Sequence, residues 1–327
     1  MRYLLLIFFC YLRSFAQPNV HIQGHFDGFP SSLCQVFVYN PLNIHSQELT
    51  AQARTDESGC FKADFRLESP QKVTVECLGY RVDFLLKPSD TLYFFTPNRS
   101  HFPIVKGPTA RLHTFLYQSL LFGQDSLLRR PLFQHMSLDD YSFVVDDLWA
   151  QSQERYQREQ DTANVYINTY VFASLEGQRF LRKRTYLQSK GESLKNEALR
   201  LKVTDDAALI SEMYQEALYS QWLGYLPNGF MNRNVVFQMD STVWEGRYAA
   251  IYEGLRKFPK TRELLLAKTV QRAFSYAAFS SEKEYSVPAK LLERFKEDFP
   301  ESPYSNALHQ EFPARLILPK TAAPSPK

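Results

Sequence analysis

The sequence predicts an α+β multidomain chain, an N-terminal antiparallel β-sandwich followed by an all-α helical domain. Three observations carry that expectation. Residues 50–95 alternate apolar and polar side chains in short runs separated by turn clusters, the pattern of half-buried strands. Beyond residue 108 the apolar residues recur at three- and four-residue spacing, as on amphipathic helices. The 327-residue length favours two domains over one, and 44% hydrophobic residues are too many for a disordered chain.

The chain opens on a charged residue, Arg2, and an apolar run from Leu4 to Leu12, then Arg13 and Ser14-Phe15-Ala16-Gln17. A charged start, a short greasy core and a small-x-small site describe a signal peptide over residues 1–16, cleaved near Ala16/Gln17. The run is about half the ~20 residues that a membrane span needs. Phe8 and Phe9 stand where lipidation at Cys10 would want small residues. The expectation is a periplasmic or secreted protein with no integral membrane segment after leader removal. Without Arg2 and Arg13 the 38 basic residues become 36 against 35 acidic, a net charge of +1. So balanced a surface offers no field to attract nucleic acid.

The strands follow in order. Val20–Phe26 places Val20, Ile22 and Phe26 on one face and His21, Gln23 and His25 on the other. Leu33–Tyr39 and Gln47–Arg54 are the second and third strands, the latter closed by Thr55-Asp56-Glu57-Ser58-Gly59. The fourth, Cys60–Leu67, turns Phe61, Ala63, Phe65 and Leu67 inward, and Lys72–Leu78 is the fifth. Arg81–Leu86 and Thr91–Phe95 read as a last hairpin around Lys87-Pro88-Ser89-Asp90. Seven short strands with polar turns suit a small sandwich over residues 17–97.

Two of these turns carry a resemblance. Thr55-Asp56-Glu57-Ser58-Gly59-Cys60-Phe61 and Leu85-Leu86-Lys87-Pro88-Ser89-Asp90-Thr91-Leu92 resemble the N-terminal β-sandwich module of exported TlpA-like thioredoxin-family proteins of Bacteroides-type bacteria. Ser89 departs from the glycine usual at its position. The resemblance covers about residues 19–96, and the module is of unknown function in those relatives too. It implies an exported protein with a thioredoxin-family accessory domain in the cell envelope.

After a linker at 98–108 comes the helical domain, 109–316. Leu112, Phe115, Leu116 and Leu120 share a helical face, and Ser137-Leu138-Asp139-Asp140 resembles a capping box that opens a helix to about Arg158. A long helix spans about Thr162–Lys190. Its basic cluster, Arg179, Arg182, Lys183 and Arg184, reads as a solvated face. Thr204 or Asp205 opens another through Trp222, and 223–240 is the longest loop. Three apolar stripes follow, on Trp244–Leu255, Leu266–Ala277 and Val287–Phe299, and Ser302-Pro303 starts a final helix. Lys257-Phe258-Pro259 and Asp298-Phe299-Pro300 both end helices, a hint of stacked helical hairpins of the tetratricopeptide style.

Chemistry is scarce in this pattern. A thioredoxin-type reductase needs Cys-x-x-Cys, since a second thiol must resolve the mixed disulfide, and none occurs. By alternation Cys34 lies with Val36 and Val38, Cys77 with Val73 and Val75, and Cys60 on the polar face with Lys62. Two readings stand for Cys34 and Cys77: a disulfide in an oxidising compartment, or two buried free thiols. His21 and His25 lie about 13 Å apart along a strand at ~3.3 Å per residue, too far to share one ion. No hydrolase constellation, phosphate loop or metal-ligand spacing appears, so no catalytic residue, cofactor or metal is expected.

The remaining expectation is interaction with an unknown protein or envelope ligand. Exposed rings suit such docking, and the loop region with Trp222, Tyr225, Phe230 and Asn232 is the first place to look. Residues 317–327 read as a disordered tail. In the resembling family a stretch like Leu318–Lys327 leads into the thioredoxin domain. The chain is therefore expected to be a non-catalytic accessory protein. The alternative is the front part of a thiol-disulfide oxidoreductase whose catalytic domain lies beyond Lys327.

Overall fold

The computed structural model describes residues 17–39, 47–97, 102–118, 135–159, 165–190, 201, 206–222, 241–279 and 285–311. The chain divides into two compact units. The first comprises residues 1–196 with 210–213, and the second 197–209 with 214–327. The first unit takes in three helices beside the sheets.

Its sheets are built from β1 (Val20–Phe26), β2 (Leu33–Tyr39), β3 (Gln47–Arg54), β4 (Cys60–Phe65), β5 (Gln71–Cys77), β6 (Tyr80–Leu86), β7 (Thr91–Thr96) and β8 (Ile104–Lys106). One sheet has the order β4-β1-β7-β8 and the other β3-β2-β5-β6. All pairings are antiparallel except β1 with β7, which run parallel. The inward residues of both sheets form one core, with Ile22, Phe26, Val36, Phe61, Val75, Phe84 and Phe94 at its centre. Alternation fixes this, since a slip of one residue would turn every apolar side chain of a strand outward.

Two sequence expectations are corrected here. Residues 81–95 are not a hairpin: β6 and β7 belong to different sheets, and the turn between them crosses the sandwich. That turn docks on β1, with Ser89 N–H donating to the Asn19 carbonyl at 2.7 Å and His21 N–H to the Asp90 carbonyl at 3.0 Å. Ser89 adopts φ +74°, the left-handed conformation for which glycine is the usual residue. The 98–108 linker, in turn, contains β8, which extends the first sheet beside β7. Three residues are too few for alternation to show in a sequence.

The Thr55–Gly59 turn is held by one carboxylate. Asp56 Oδ1 accepts from Ser58 N–H, Ser58 Oγ–H and Cys60 N–H at 2.6–2.9 Å. Gly59 sits at φ +85°, and a Cβ there would meet the Phe26 carbonyl at 2.4 Å. No other residue type fits that position.

The helices of the first unit are α1 (Ala110–Gln118), α2 (Leu138–Glu159) and α3 (Val165–Ser189). Ser137 caps α2 as expected, accepting from Asp140 N–H at 3.1 Å. Leu112, Phe115, Leu116, Tyr156, Tyr170 and Leu175 form a second core around Leu85, the β6 residue that faces away from the sandwich interior. A short 3-10 helix (Asp206–Ile210) and α4 (Glu212–Trp222) come next. The single helix expected up to Trp222 is thus broken at Ser211, and Thr204 and Asp205 lie outside the described residues.

In the second unit α5 (Ser241–Gly254), α6 (Pro259–Phe279), α7 (Ser286–Asp298) and α8 (Pro303–Glu311) pack in succession. Helix α5 meets α6 and α7, α6 meets α7 and α8, and α7 meets α8, the neighbour pattern of two stacked helical hairpins. Tyr248 Oη donates to Asp298 Oδ2 at 2.9 Å across the α5–α7 contact. Asp206 caps α6, accepting from the N–H groups of Lys260 and Thr261 at 3.0 Å each.

Gly24 tests the sandwich core. A Cβ there would lie 2.4 Å from the Phe61 ring and 2.5 Å from that of Phe94. Gly24→Ala is expected to destabilise by about 1–3 kcal/mol as these rings are forced apart. Gly246→Ala, in open space on α5, is expected to be neutral or stabilising by about 0.5–1 kcal/mol. Urea unfolding of both variants checks the contrast.

Candidate functional site

Strand β6 is the last strand of its sheet, so one row of its backbone groups has no strand partner. Helix α1 closes that row with two side chains. Asp83 N–H donates to Tyr117 Oη at 2.9 Å, and the same hydroxyl donates to the Asp83 carbonyl at 2.5 Å. Leu85 N–H donates to His113 Nε2 at 3.2 Å. Two residues of strand span ~6.6 Å and four residues of helix ~6 Å, so the i,i+4 pair on α1 matches the i,i+2 pair on β6.

His113 is neutral in this setting. Its Nδ1–H is directed at the Thr109 carbonyl at 2.9 Å, leaving Nε2 free to accept. Burial lowers its pKa to about 4, against the smaller raising effect of its two backbone contacts. Burial likewise pushes the Tyr117 hydroxyl up, helped by the charge of Asp83.

On the outer face of β5 and β6, next to this edge, Lys72 lies among acids. Its Nζ is 3.1 Å from Glu212 Oε1 and 3.5 Å from Asp83 Oδ2. Thr74 Oγ1–H donates to Asp83 at 2.6 Å, and Tyr170 Oη is 3.3 Å from both Glu212 oxygens. Burial alone would lower the Lys72 pKa, but Glu212 and Asp83 outweigh it and hold the ammonium charged. A lysine kept protonated is neither a nucleophile nor a base. Burial and then the charges of Glu212 and Asp83 push Tyr170 well above the ordinary phenol range. The cluster can fasten these elements together and position charge.

The basic cluster on α3 is not a solvated face. Lys183 and Arg184 are 5% and 6% exposed. Lys183 Nζ and Arg179 Nε reach Asp146 of α2 at 2.7 and 2.6 Å, and the Arg179 guanidinium stacks 5.5 Å from the Trp149 ring. Burial works to raise the Asp146 pKa, but Lys183 and Arg179 bring it below the usual carboxylate value. Lysine and arginine stems cover apolar surface while their heads pair, which a charge pattern does not reveal.

The outer face of the other sheet carries several exposed side chains among the described residues. Cross-strand register sets Cys60, His25, Phe95 and Ile104 in one row and Lys62, Gln23, Tyr93 and Lys106 in the next. Tyr93 and Ile104 are 45% and 53% exposed. His25 packs edge-on against Phe95 with ring centroids 4.9 Å apart, and His21 Nδ1 lies 2.7 Å from Asp64 Oδ1. This arrangement offers rings, methyl groups and lysines to a partner.

Of the residues singled out from sequence, Cys34 and Cys77 are buried, unlinked in this structure and directly opposite one another on β2 and β5. Trp222 ends α4 and packs on Gly254, while Tyr225, Phe230 and Asn232 lie outside the described residues. Among the described residues no three His, Cys, Asp or Glu side chains could hold a metal ion, and no helix is long and apolar enough to cross a membrane. His113 and Tyr117 were passed over by sequence reasoning. Their signal was a histidine set within the apolar Leu112–Leu116 run.

Two outcomes follow for the buried polar groups. The folded-state pKa of His113 lies below its unfolded value, so its contribution is complete above about pH 6.5 and is lost as pH falls toward 4. The loss is about 3 kcal/mol, and His113→Gln should flatten it in urea titrations at stepped pH. Lys72→Met, which strands two carboxylates, should cost about 3–5 kcal/mol, and Lys72→Met with Glu212→Leu should recover part of it in the same assay.

No family model, curated protein or solved structure matches this chain.

Proposed function

We propose that the chain is an exported, non-catalytic accessory protein of the cell envelope. The outer face of its β4-β1-β7-β8 sheet would dock on a partner protein, as an interaction module of the thioredoxin-like reductase type. The observation that carries this reading is the contrast between the two sheets. The strongly shifted groups beside β5 and β6, namely Lys72, His113, Tyr117 and Tyr170, are engaged in fastening. The face of β4, β1, β7 and β8 leaves Tyr93, Ile104 and Lys106 to solvent or a partner. Export rests on the leader-like run at residues 1–16, and the reductase association rests on the two turn motifs.

Cell fractionation of the expressed full chain is expected to find it in the periplasm or medium, starting near Gln17. Cytoplasmic retention with Met1 intact would refute export. Purified protein should not accelerate insulin reduction by dithiothreitol, and turnover would overturn the non-catalytic reading. A photo-crosslinker at position 93 should give a discrete adduct with an envelope protein that Ile104→Arg removes. A Trp-Cys-x-x-Cys frame in the DNA downstream of Lys327 would instead assign the chain to the front of a thiol-disulfide oxidoreductase.

A further inference from the structure

The geometry points to Cys34 and Cys77 as a cross-strand disulfide site, closed during folding by exchange with a small-molecule disulfide such as oxidised glutathione. The two residues are direct register partners on β2 and β5, the central strands of their sheet. Both side chains face the sandwich core and neither has exposed surface. Their side chains enter the same core from facing positions on neighbouring strands. Opposed antiparallel residues have Cα atoms about 4.5–5.5 Å apart, inside the range of about 4.4–6.8 Å found across disulfides. The two cysteines belong to an apolar core that also holds Val36, Val73, Val75 and Phe84. Joining the sulfurs removes two weak donors from an apolar interior.

The reaction balances as two exchanges. One cysteine thiolate attacks a glutathione disulfide, releasing one glutathione thiolate and leaving a mixed disulfide. The second cysteine thiolate then attacks the protein sulfur, forming the Cys34–Cys77 bond and releasing the second glutathione. Two protons pass from the cysteine thiols to the glutathione thiolates, and two electrons pass from the cysteines to glutathione. Burial raises both thiols, so the reactive thiolate is scarce once the sandwich has closed. The pair is therefore oxidised before or while β5 docks on β2, and is sealed afterwards. Cys60 sits on the outer face of the other sheet, partly exposed, and the fold keeps it away from both.

The test refolds the full chain from denaturant in a glutathione redox buffer. Remaining thiols are alkylated under denaturing conditions, and peptides of the soluble fraction are mapped by mass. A Cys34–Cys77 linked pair with Cys60 alkylated is expected. Dithiothreitol should then lower the melting temperature by about 5–10 °C, an effect kept in Cys60→Ser and lost in Cys34→Ser and Cys77→Ser. Alkylation of both Cys34 and Cys77 after oxidising refolding, or linkage of either to Cys60, would overturn the assignment. The peptide map is read on the unaltered chain, so it decides the matter even where a serine variant does not fold.

Discussion

The exposed edge of β6 is the constraint around which the first unit is arranged. An unpaired strand edge invites another strand, and proteins blunt it with charge, brevity or cover. Here the cover is chemical mimicry. Tyr117 both gives and takes a hydrogen bond at Asp83, as a residue on a neighbouring strand would, and His113 takes the next N–H along. Placing α1 in this way brings Leu112, Phe115 and Leu116 over Leu85, and the second apolar core grows from that contact. A row of backbone donors thus decides where the helices of this unit sit.

The charged groups nearby follow from the same placement. Taking an ammonium and two carboxylates out of water costs several kcal/mol per ion, and mutual attraction repays this only when geometry and further hydrogen bonds are good. Lys72 meets both conditions, since Glu212 also faces Tyr170 and Asp83 also accepts from Thr74. Removing one member would leave a buried charge uncompensated. Asp146 plays a comparable part between α2 and α3, where Lys183 and Arg179 converge on it.

Much of the sandwich was legible in the sequence, because β1 and β4 alternate cleanly and a strand's face is written in every second residue. The helix stripes on α5, α6 and α7 were legible for the corresponding reason at helical period. What alternation cannot show is which sheet a strand joins. Residues 81–95 read as a hairpin, and the strand pairing instead puts β6 and β7 in different sheets, with Ser89 and Asp90 docked on β1. Arg179 and Lys183 of α3 were misread because their partner, Asp146, is more than thirty residues earlier in the chain. His113 stood out only as a histidine inside the apolar Leu112–Leu116 run, which marks it as buried but does not name the strand edge that it and Tyr117 cap. For the outer face of the other sheet, the outward residues of β1, β4 and β7 could be read, but not β8 or the register that joins Tyr93 to Lys106 and Phe95 to Ile104.

The parallel pairing of β1 with β7 has a kinetic side. Strands β2 and β3, like β5 and β6, are sequence neighbours and can zip locally, whereas β1 pairs with β4 some forty residues downstream and with β7 some seventy. Contacts so far apart in sequence are slow to form, since the intervening chain must be closed into a loop first. The sheet that holds β1 is therefore expected to assemble last, after β7 has emerged. Until β4 and then β7 have emerged, the first strand, with its apolar face of Val20, Ile22 and Phe26, is an incompletely paired segment that a chaperone can hold.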